Sequence, residues 1–128
     1  MSADRLLLDS HTLFWALDDR PELSPRAREL IVAEATDVVV STVSLYELMF
    51  KARRRRIERA LLRVGDMARA AGFAIESPTE RHWTAAAQRD WSHGDPFDRL
   101  LLAQAEGGGM TLVSRDVVFD AVSDVRLW

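Results

Sequence analysis

Short apolar runs alternate along the whole chain with segments in which apolar residues recur at helical spacing. The strand-like runs lie at 6–8, 37–41, 73–75, 111–114 and 125–127, and their apolar residues are consecutive rather than alternating. Strands that are apolar on both faces are typical of a parallel sheet covered by helices on each side. The pattern therefore predicts an α/β fold with a central parallel sheet of four to five strands.

The segments between these runs carry helix signals. Ser24-Pro25 and Asp95-Pro96 each combine an N-cap side chain with a proline in the first helical turn. Glycine follows two of the predicted helices, at Gly72 and at 107–109, as expected where helices end. Helices are predicted over 10–17, 24–35, 44–53, 57–71, 79–91, 95–106 and 117–121.

The length and composition narrow the class of protein. A chain of 128 residues is expected to form one domain, spanning 1–128. The absence of cysteine excludes disulfides and thiolate metal sites and favours a cytoplasmic location. The apolar run at 6–8 is too short for a signal peptide or a membrane span. A net charge of −3, taken alone, argues against a nucleic-acid partner.

Four acidic residues follow strands or begin helices at positions that a parallel sheet brings to one edge. Asp9 ends the first strand, and Glu47 lies in the first turn of the helix predicted after the second strand. Asp98 lies in the first turn of the helix before the fourth strand, and Asp116 follows that strand. A helix that leads into a strand begins at the edge where strands end. We therefore expect these carboxylates to converge, with Asp95 as a possible fifth.

Each acid also has a structural explanation. Ser44 and Glu47 fit a capping box, while Asp95 and Asp116 are suited to capping the helices that follow them. Asp9 is harder to explain in this way, because a carboxylate after three leucines is costly to bury without a partner. Together, clustered carboxylates repel one another and favour a bound cation. Oxygen ligands suit Mg²⁺ or Mn²⁺.

Four segments resemble, in order, the successive motifs of PIN domains, and above all those of VapC-type ribonuclease toxins. They are LLDSH at 7–11, SLYE at 44–47, HGDPFDRLLLAQA at 93–105 and LVSRD at 112–116. The resemblance covers essentially the whole chain, and the third segment is the most specific. It implies a three-layer α/β/α domain in which a single PIN domain occupies residues 1–128.

The resemblance also implies a metal site with Mg²⁺ or Mn²⁺ as the cofactor. Its ligands and catalytic residues would be Asp9, Glu47, Asp98 and Asp116. Asp95 matches an extra acid found in part of the family, and Asp120 competes with Asp116 for its role. Ser10 and Ser114 match hydroxyl positions that orient a ligand or a water.

The reaction implied by the resemblance is hydrolysis of RNA phosphodiester bonds by a water bound to the metal, leaving a 5′-phosphate and a 3′-hydroxyl. The implied partners are an RNA substrate, a second copy of the chain in a homodimer, and a VapB-like antitoxin whose tail crosses the active groove. A PIN-like protein-binding module without catalytic activity is the alternative.

Several basic residues have two interpretations. His93 could position Asp95 or a phosphate, and Arg99 could pair with a carboxylate or contact RNA. The basic block next to Lys51, the only lysine, is either a solvated helix end or a strip that binds RNA phosphates. The block comprises Arg53, Arg54, Arg55 and Arg56.

Two other Mg²⁺-dependent α/β classes fit the sequence less well. A phosphatase with an aspartate nucleophile would need a second acid two residues after Asp9, where His11 stands. A receiver domain would need a lysine near the end of a late strand, and Lys51 is far from any such position.

Overall fold

A computed structural model describes residues 4–54 and 58–128. The first half of the chain contains β1 (Asp4–Leu8), α1 (Ser10–Leu17), α2 (Pro25–Val32), β2 (Thr36–Ser41) and α3 (Thr42–Arg53). A 3₁₀ helix (Arg59–Arg63), α4 (Val64–Ala70), β3 (Ala74–Glu76) and α5 (Glu80–Gln88) follow. The chain ends with α6 (Pro96–Gly107), β4 (Thr111–Val113), a second 3₁₀ helix (Val117–Ala121) and β5 (Arg126–Leu127).

The five strands form one parallel sheet in the order β3-β2-β1-β4-β5. Along the chain, the first three strands extend the sheet from β1 to one edge, and β4 and β5 are then added on the opposite side of β1. The strand order therefore reverses between β1 and β4. In open α/β sheets, ligands bind outside the carboxyl ends of the strands at such a reversal. The predicted α/β class, with a parallel sheet of up to five strands, is confirmed.

Both faces of the sheet are covered, which explains the uninterrupted apolar strands. On one face, Leu8 and Val40 pack with Leu13 of α1 and Leu48 of α3. On the other, residues of β1, β2 and β4 pack with α6 and the second 3₁₀ helix. This second cluster includes Leu7, Val39, Leu101, Leu112 and Phe119, and it fixes the start of α6 relative to the end of β1. The arrangement is a three-layer α/β/α domain.

Several predicted helix boundaries are wrong. Helix α2 ends at Val32 rather than at 35. Helix α3 begins at Thr42 rather than at Ser44, because the side chain of Ser41 accepts from the backbone N–H of Val43 and caps it. Helix α5 ends at Gln88, before the predicted 91. The predicted helix over 57–71 is divided into a 3₁₀ helix and α4, and its first residue lies outside the described part. No helix in the described ranges has the length and apolar character needed to cross a membrane.

Candidate active site and metal centre

Asp9 lies at the carboxyl end of β1 and caps α1. The residue is only 8% exposed. Its Oδ1 accepts from the backbone N–H of Thr12 at 2.9 Å, and its Oδ2 accepts from the hydroxyl of Ser114 at 2.5 Å. Within residues 4–54 and 58–128, no basic side chain forms an ion pair with it. The carboxylate is therefore oriented by neutral donors.

Asp98 lies in the first turn of α6, half-buried, next to a second acid. The side chain of Asp95 caps the helix by accepting from the backbone N–H groups of Phe97, at 2.9 Å, and of Asp98, at 3.4 Å. Burial raises the pKa of the Asp98 carboxyl to about 6. The hydrogen bond from His93 opposes this rise, whereas the charges of Asp95 and Asp9 add to it. The repulsion from Asp9 is the smallest of these contributions.

His93 contacts Asp98, whereas the sequence analysis names Asp95 as one of its predicted partners. Its Nε2 lies 2.7 Å from Asp98 Oδ2. One potential ligand atom from each of His93, Asp95 and Asp98 falls within 4.8 Å of the other two. The sequence analysis predicts His93 as a residue that positions Asp95 or a phosphate, but not as a metal ligand. The signal that could have found it is the position of His93 two residues before the N-cap of α6.

Glu47 lies in the second turn of α3, so the predicted capping box with Ser44 is wrong. Its Oε1 accepts from the hydroxyl of Ser10 at 2.7 Å, and its Oε2 pairs with Lys51 Nζ at 3.1 Å. Because Ser10 directly follows Asp9, this hydrogen bond holds Glu47 beside the carboxyl end of β1. Glu47 thus joins the same edge of the sheet, although its charge is partly balanced by Lys51.

Asp116 approaches Asp9 from the other side, after β4. Its backbone N–H donates to Ser114 Oγ at 3.1 Å, and its side chain caps the second 3₁₀ helix by accepting from Val118 N–H at 3.0 Å. Asp9 and Asp116 line one cavity of about 330 Å³. The hydroxyl of Ser114 therefore links the two acids, because it donates to the carboxylate of Asp9 and accepts from the backbone N–H of Asp116.

Asp120, the competitor of Asp116, is engaged elsewhere. Both of its carboxylate oxygens accept from Arg126, from Nε at 2.9 Å and from Nη2 at 2.8 Å. These hydrogen bonds lower the pKa of Asp120 below its usual value. The residue is not part of the cavity wall that Asp116 shares with Asp9. The geometry favours Asp116 at the site.

Within the part of the chain that the structure describes, Arg99 pairs with no carboxylate, contrary to one sequence interpretation. Its guanidinium donates to four backbone carbonyls: Ala86 at 2.9 Å, Arg89 at 2.5 Å, Trp91 at 2.7 Å and His93 at 3.0 Å. These carbonyls bond to Arg99 instead of continuing the helix, which explains why α5 ends at Gln88. Through these hydrogen bonds, Arg99 fixes the segment between α5 and α6 that contains His93. Its N–H donors are therefore not available to RNA.

The basic block is described only in part. Arg53 is exposed at the end of α3, and Arg54 places its guanidinium 5.3 Å from the ring centre of Phe50. Arg55 and Arg56 lie outside the described residues. The role of the block in binding RNA stays a prediction.

The donors gathered at this edge fit a hard divalent cation. Among the described residues, the potential ligand atoms of His93, Asp95 and Asp98 lie within 4.8 Å of one another, and Asp9, Glu47 and Asp116 are not part of that group. Asp116 shares a cavity with Asp9, and Glu47 is held beside Asp9 through Ser10. Carboxylate oxygens, with at most one imidazole, are ligands suited to Mg²⁺ or Mn²⁺.

The sequence model of the PIN domain matches residues 6–125, a range that includes every carboxylate described at this edge. The chain belongs to the PIN-domain family. This PIN domain is also 32% identical over 117 residues to Ribonuclease VapC22 of Mycobacterium tuberculosis, covering 87% of this chain and 86% of that protein. That similarity places it among the VapC-type members of the family.

Solved structures with similar folds include toxins and toxin–antitoxin complexes. The DNA-bound VapBC complex of Salmonella typhimurium contains a chain with a TM-score of 0.72 and 18% identity, with 96% of each chain covered. The Mycobacterium tuberculosis toxin VapC20, described as cleaving the sarcin–ricin loop, has a TM-score of 0.67 and 19% identity, covering 92% of this PIN domain and 95% of that chain. At these identities the similarity establishes the fold.

Proposed function

We propose that this PIN domain is an endoribonuclease that depends on Mg²⁺ or Mn²⁺, and that it is the toxin of a toxin–antitoxin pair. The observation that carries the proposal is the group formed by His93, Asp95 and Asp98 at the start of α6, whose potential ligand atoms lie within 4.8 Å of one another, together with the buried Asp9 that follows β1. Two carboxylates held together in this way need a cation to be stable in their ionised forms. The relative VapC22 bears the name of a ribonuclease, which supports RNA as the substrate class.

Asp9, Asp98 and Asp116, with Glu47, would hold the ion. When bound, a divalent cation would neutralise charge on the scissile phosphate and make a water molecule more acidic. The protein's contribution is to orient the ligands: Ser114 fixes Asp9, Ser10 and Lys51 fix Glu47, and His93 fixes Asp98. Asp95 acts in the same centre as the cap that sets the first turn of α6. The proposed products carry a 5′-phosphate and a 3′-hydroxyl.

The proposed protein partners are a VapB-like antitoxin and a second copy of the chain. Several solved structures of similar fold are VapBC complexes. Close to Glu47, Tyr46 and Phe50 are 50% and 46% exposed, and the Tyr46 ring centre lies 6.2 Å from that of Phe97. Contiguous exposed apolar side chains of this kind mark protein interaction surfaces. The absence of cysteine supports action in the cytoplasm.

The test is cleavage of a mixed pool of transfer and messenger RNA in Mg²⁺, in Mn²⁺ and in EDTA. We expect cleavage by the wild type with either metal, and loss of cleavage in EDTA and in the Asp9→Asn and Asp98→Asn proteins. Asp120→Asn is the matched control, because it removes an acid that is bound to Arg126 outside the shared cavity. If wild type and both site variants cleave alike, the activity is a contaminant and the protein-binding module becomes the better account.

A further inference from the structure

Two aromatic rings stand beside the carboxylates on the first helix. His11 and Trp15 are four residues apart on α1, which begins directly after Asp9. Their ring centres are 5.7 Å apart and their planes are inclined by only 17°, so the rings are stacked. His11 is exposed and Trp15 is half-buried. The ring of His11 is thus exposed to solvent and lies over the ring of Trp15.

The stack is supported from below. Trp15 packs against the core cluster around Leu13, and its ring meets the edge of Trp128 at 5.8 Å and 60°. These contacts restrict the rotation of Trp15 and thereby fix the plane on which His11 rests. A preformed aromatic surface loses little conformational entropy when a flat ligand stacks on it.

The same rings line the cavity that holds two of the proposed catalytic acids. His11, Trp15, Asp9 and Asp116 all contribute to the space of about 330 Å³, together with Arg115. Arg115 is exposed, and within the described ranges it takes part in no ion pair. One cavity therefore combines aromatic faces, carboxylates suited to a cation, and a free guanidinium suited to a phosphate.

We propose that His11 and Trp15 form a stacking platform for a nucleobase of the RNA, belonging to the nucleotide next to the scissile phosphate. This inference rests on the proposed ribonuclease function. The ligand class is a single-stranded or looped nucleotide, because a base must be free of its own helix to stack on a protein ring. Arg115 contacts a phosphate of the same strand. Stacking of this kind tolerates different bases, since every base has a π face.

The test uses a short RNA with the one bond that the wild type cleaves in the RNA pool. Versions of this RNA carry an abasic ribose in turn on either side of that bond. The proteins are wild type, His11→Ala, which removes the exposed ring, and His11→Phe, which keeps an aromatic ring without its nitrogens. Trp83→Leu is the control, because this exposed tryptophan on α5 lies outside the cavity. Thermal unfolding of each protein verifies that it folds.

We expect His11→Ala to lower kcat/KM on the intact RNA by about 5- to 150-fold, the range that corresponds to loss of one base-stacking contact. His11→Phe retains most of the activity. On the RNA that lacks the stacked base, wild type and His11→Ala become equal. Trp83→Leu behaves like wild type on every RNA.

Three results would overturn the inference while leaving the ribonuclease in place. One is an equal loss for His11→Ala on intact and abasic RNAs, which indicates a role independent of the base. Another is failure of His11→Phe to restore activity, which indicates that the imidazole nitrogens matter. The third is normal cleavage with weakened antitoxin binding, which assigns the platform to the protein partner. Absence of cleavage by the wild type would overturn the proposed function itself.

Discussion

The hydroxyl of Ser114 donates a 2.5 Å hydrogen bond to Oδ2 of Asp9. This hydrogen bond joins the carboxyl ends of β1 and β4, where the strand order of the sheet reverses. Both residues are buried, and their side chains are 105 positions apart in sequence. The contact exists only because β4 pairs directly with β1. The sheet topology therefore sets the orientation of the buried acid.

We expect Ser114→Ala to weaken both the fold and the metal site. The buried carboxylate loses one of its two donors, which costs about 1–3 kcal/mol of unfolding free energy. Loss of a group that orients a metal ligand lowers metal affinity by about 10- to 100-fold. Urea unfolding and Mn²⁺ titration measure the two effects.

Ser123→Ala is the matched control for this substitution. It removes a serine-to-carboxylate hydrogen bond to Glu106 of 3.1 Å at the exposed surface. Unfolding free energy and Mn²⁺ affinity are expected to stay close to those of wild type. A similar loss in both variants would mean that Ser114 has no special relationship to the site.

Asp98→Asn is expected to stabilise the metal-free protein near neutral pH. The pKa of Asp98 is about 6 in the folded state, above the ordinary value of 3.8, because burial disfavours the charged form. The folded state then binds more protons than the unfolded state between these values, so stability falls as pH rises from about 4 to about 6. The penalty is at most about 3 kcal/mol and is fully present only above about pH 7.

The measurement is urea unfolding with EDTA between pH 4 and pH 7.5. Asp98→Asn should lack the decline seen in wild type and should be the more stable protein at the upper end. Added Mn²⁺ should reverse the order by stabilising wild type alone. A metal-free Asp98→Asn protein that is less stable than wild type at pH 7 would show that the acid serves the fold rather than the site.

We expect Arg99→Lys to fail as a conservative replacement. A lysine keeps the positive charge but cannot supply the fork that reaches four carbonyls between Ala86 and His93. Each carbonyl left without a donor costs about 1 kcal/mol or more, so unfolding free energy should fall by about 2–4 kcal/mol. Arg81→Lys, at an exposed position on α5, is the control and should be neutral. Stable and active Arg99→Lys would show that Arg99 acts through its charge.

The carboxyl ends of the strands could be predicted because apolar runs show where strands stop. Asp9 and Asp116 follow such runs directly, and Asp98 follows the Asp95-Pro96 helix start, so their shared edge was a consequence of the α/β pattern. Glu47 was placed at the correct edge, although in the wrong helical turn. Ser41 and Ser44 are equally good caps in sequence, and only the extent of β2 decides between them.

Contacts that depend on packing between distant elements could not be predicted. Arg99 was expected to meet a carboxylate or RNA, and its four carbonyl acceptors appear only once α5 lies against α6. The choice between Asp116 and Asp120 depends on Arg126, which β5 brings beside the second 3₁₀ helix. His93 reaches Asp98 because Arg99 holds the residues before it.

The most direct test of the metal centre is Mn²⁺ binding to the purified protein, measured by calorimetry for wild type, Asp98→Asn and Asp120→Asn at pH 7.5. We predict saturable binding to wild type and to Asp120→Asn, and binding that is more than about 10-fold weaker in Asp98→Asn. Equal affinity in all three proteins, or no binding to wild type, would contradict the claim that Asp98 belongs to a metal centre.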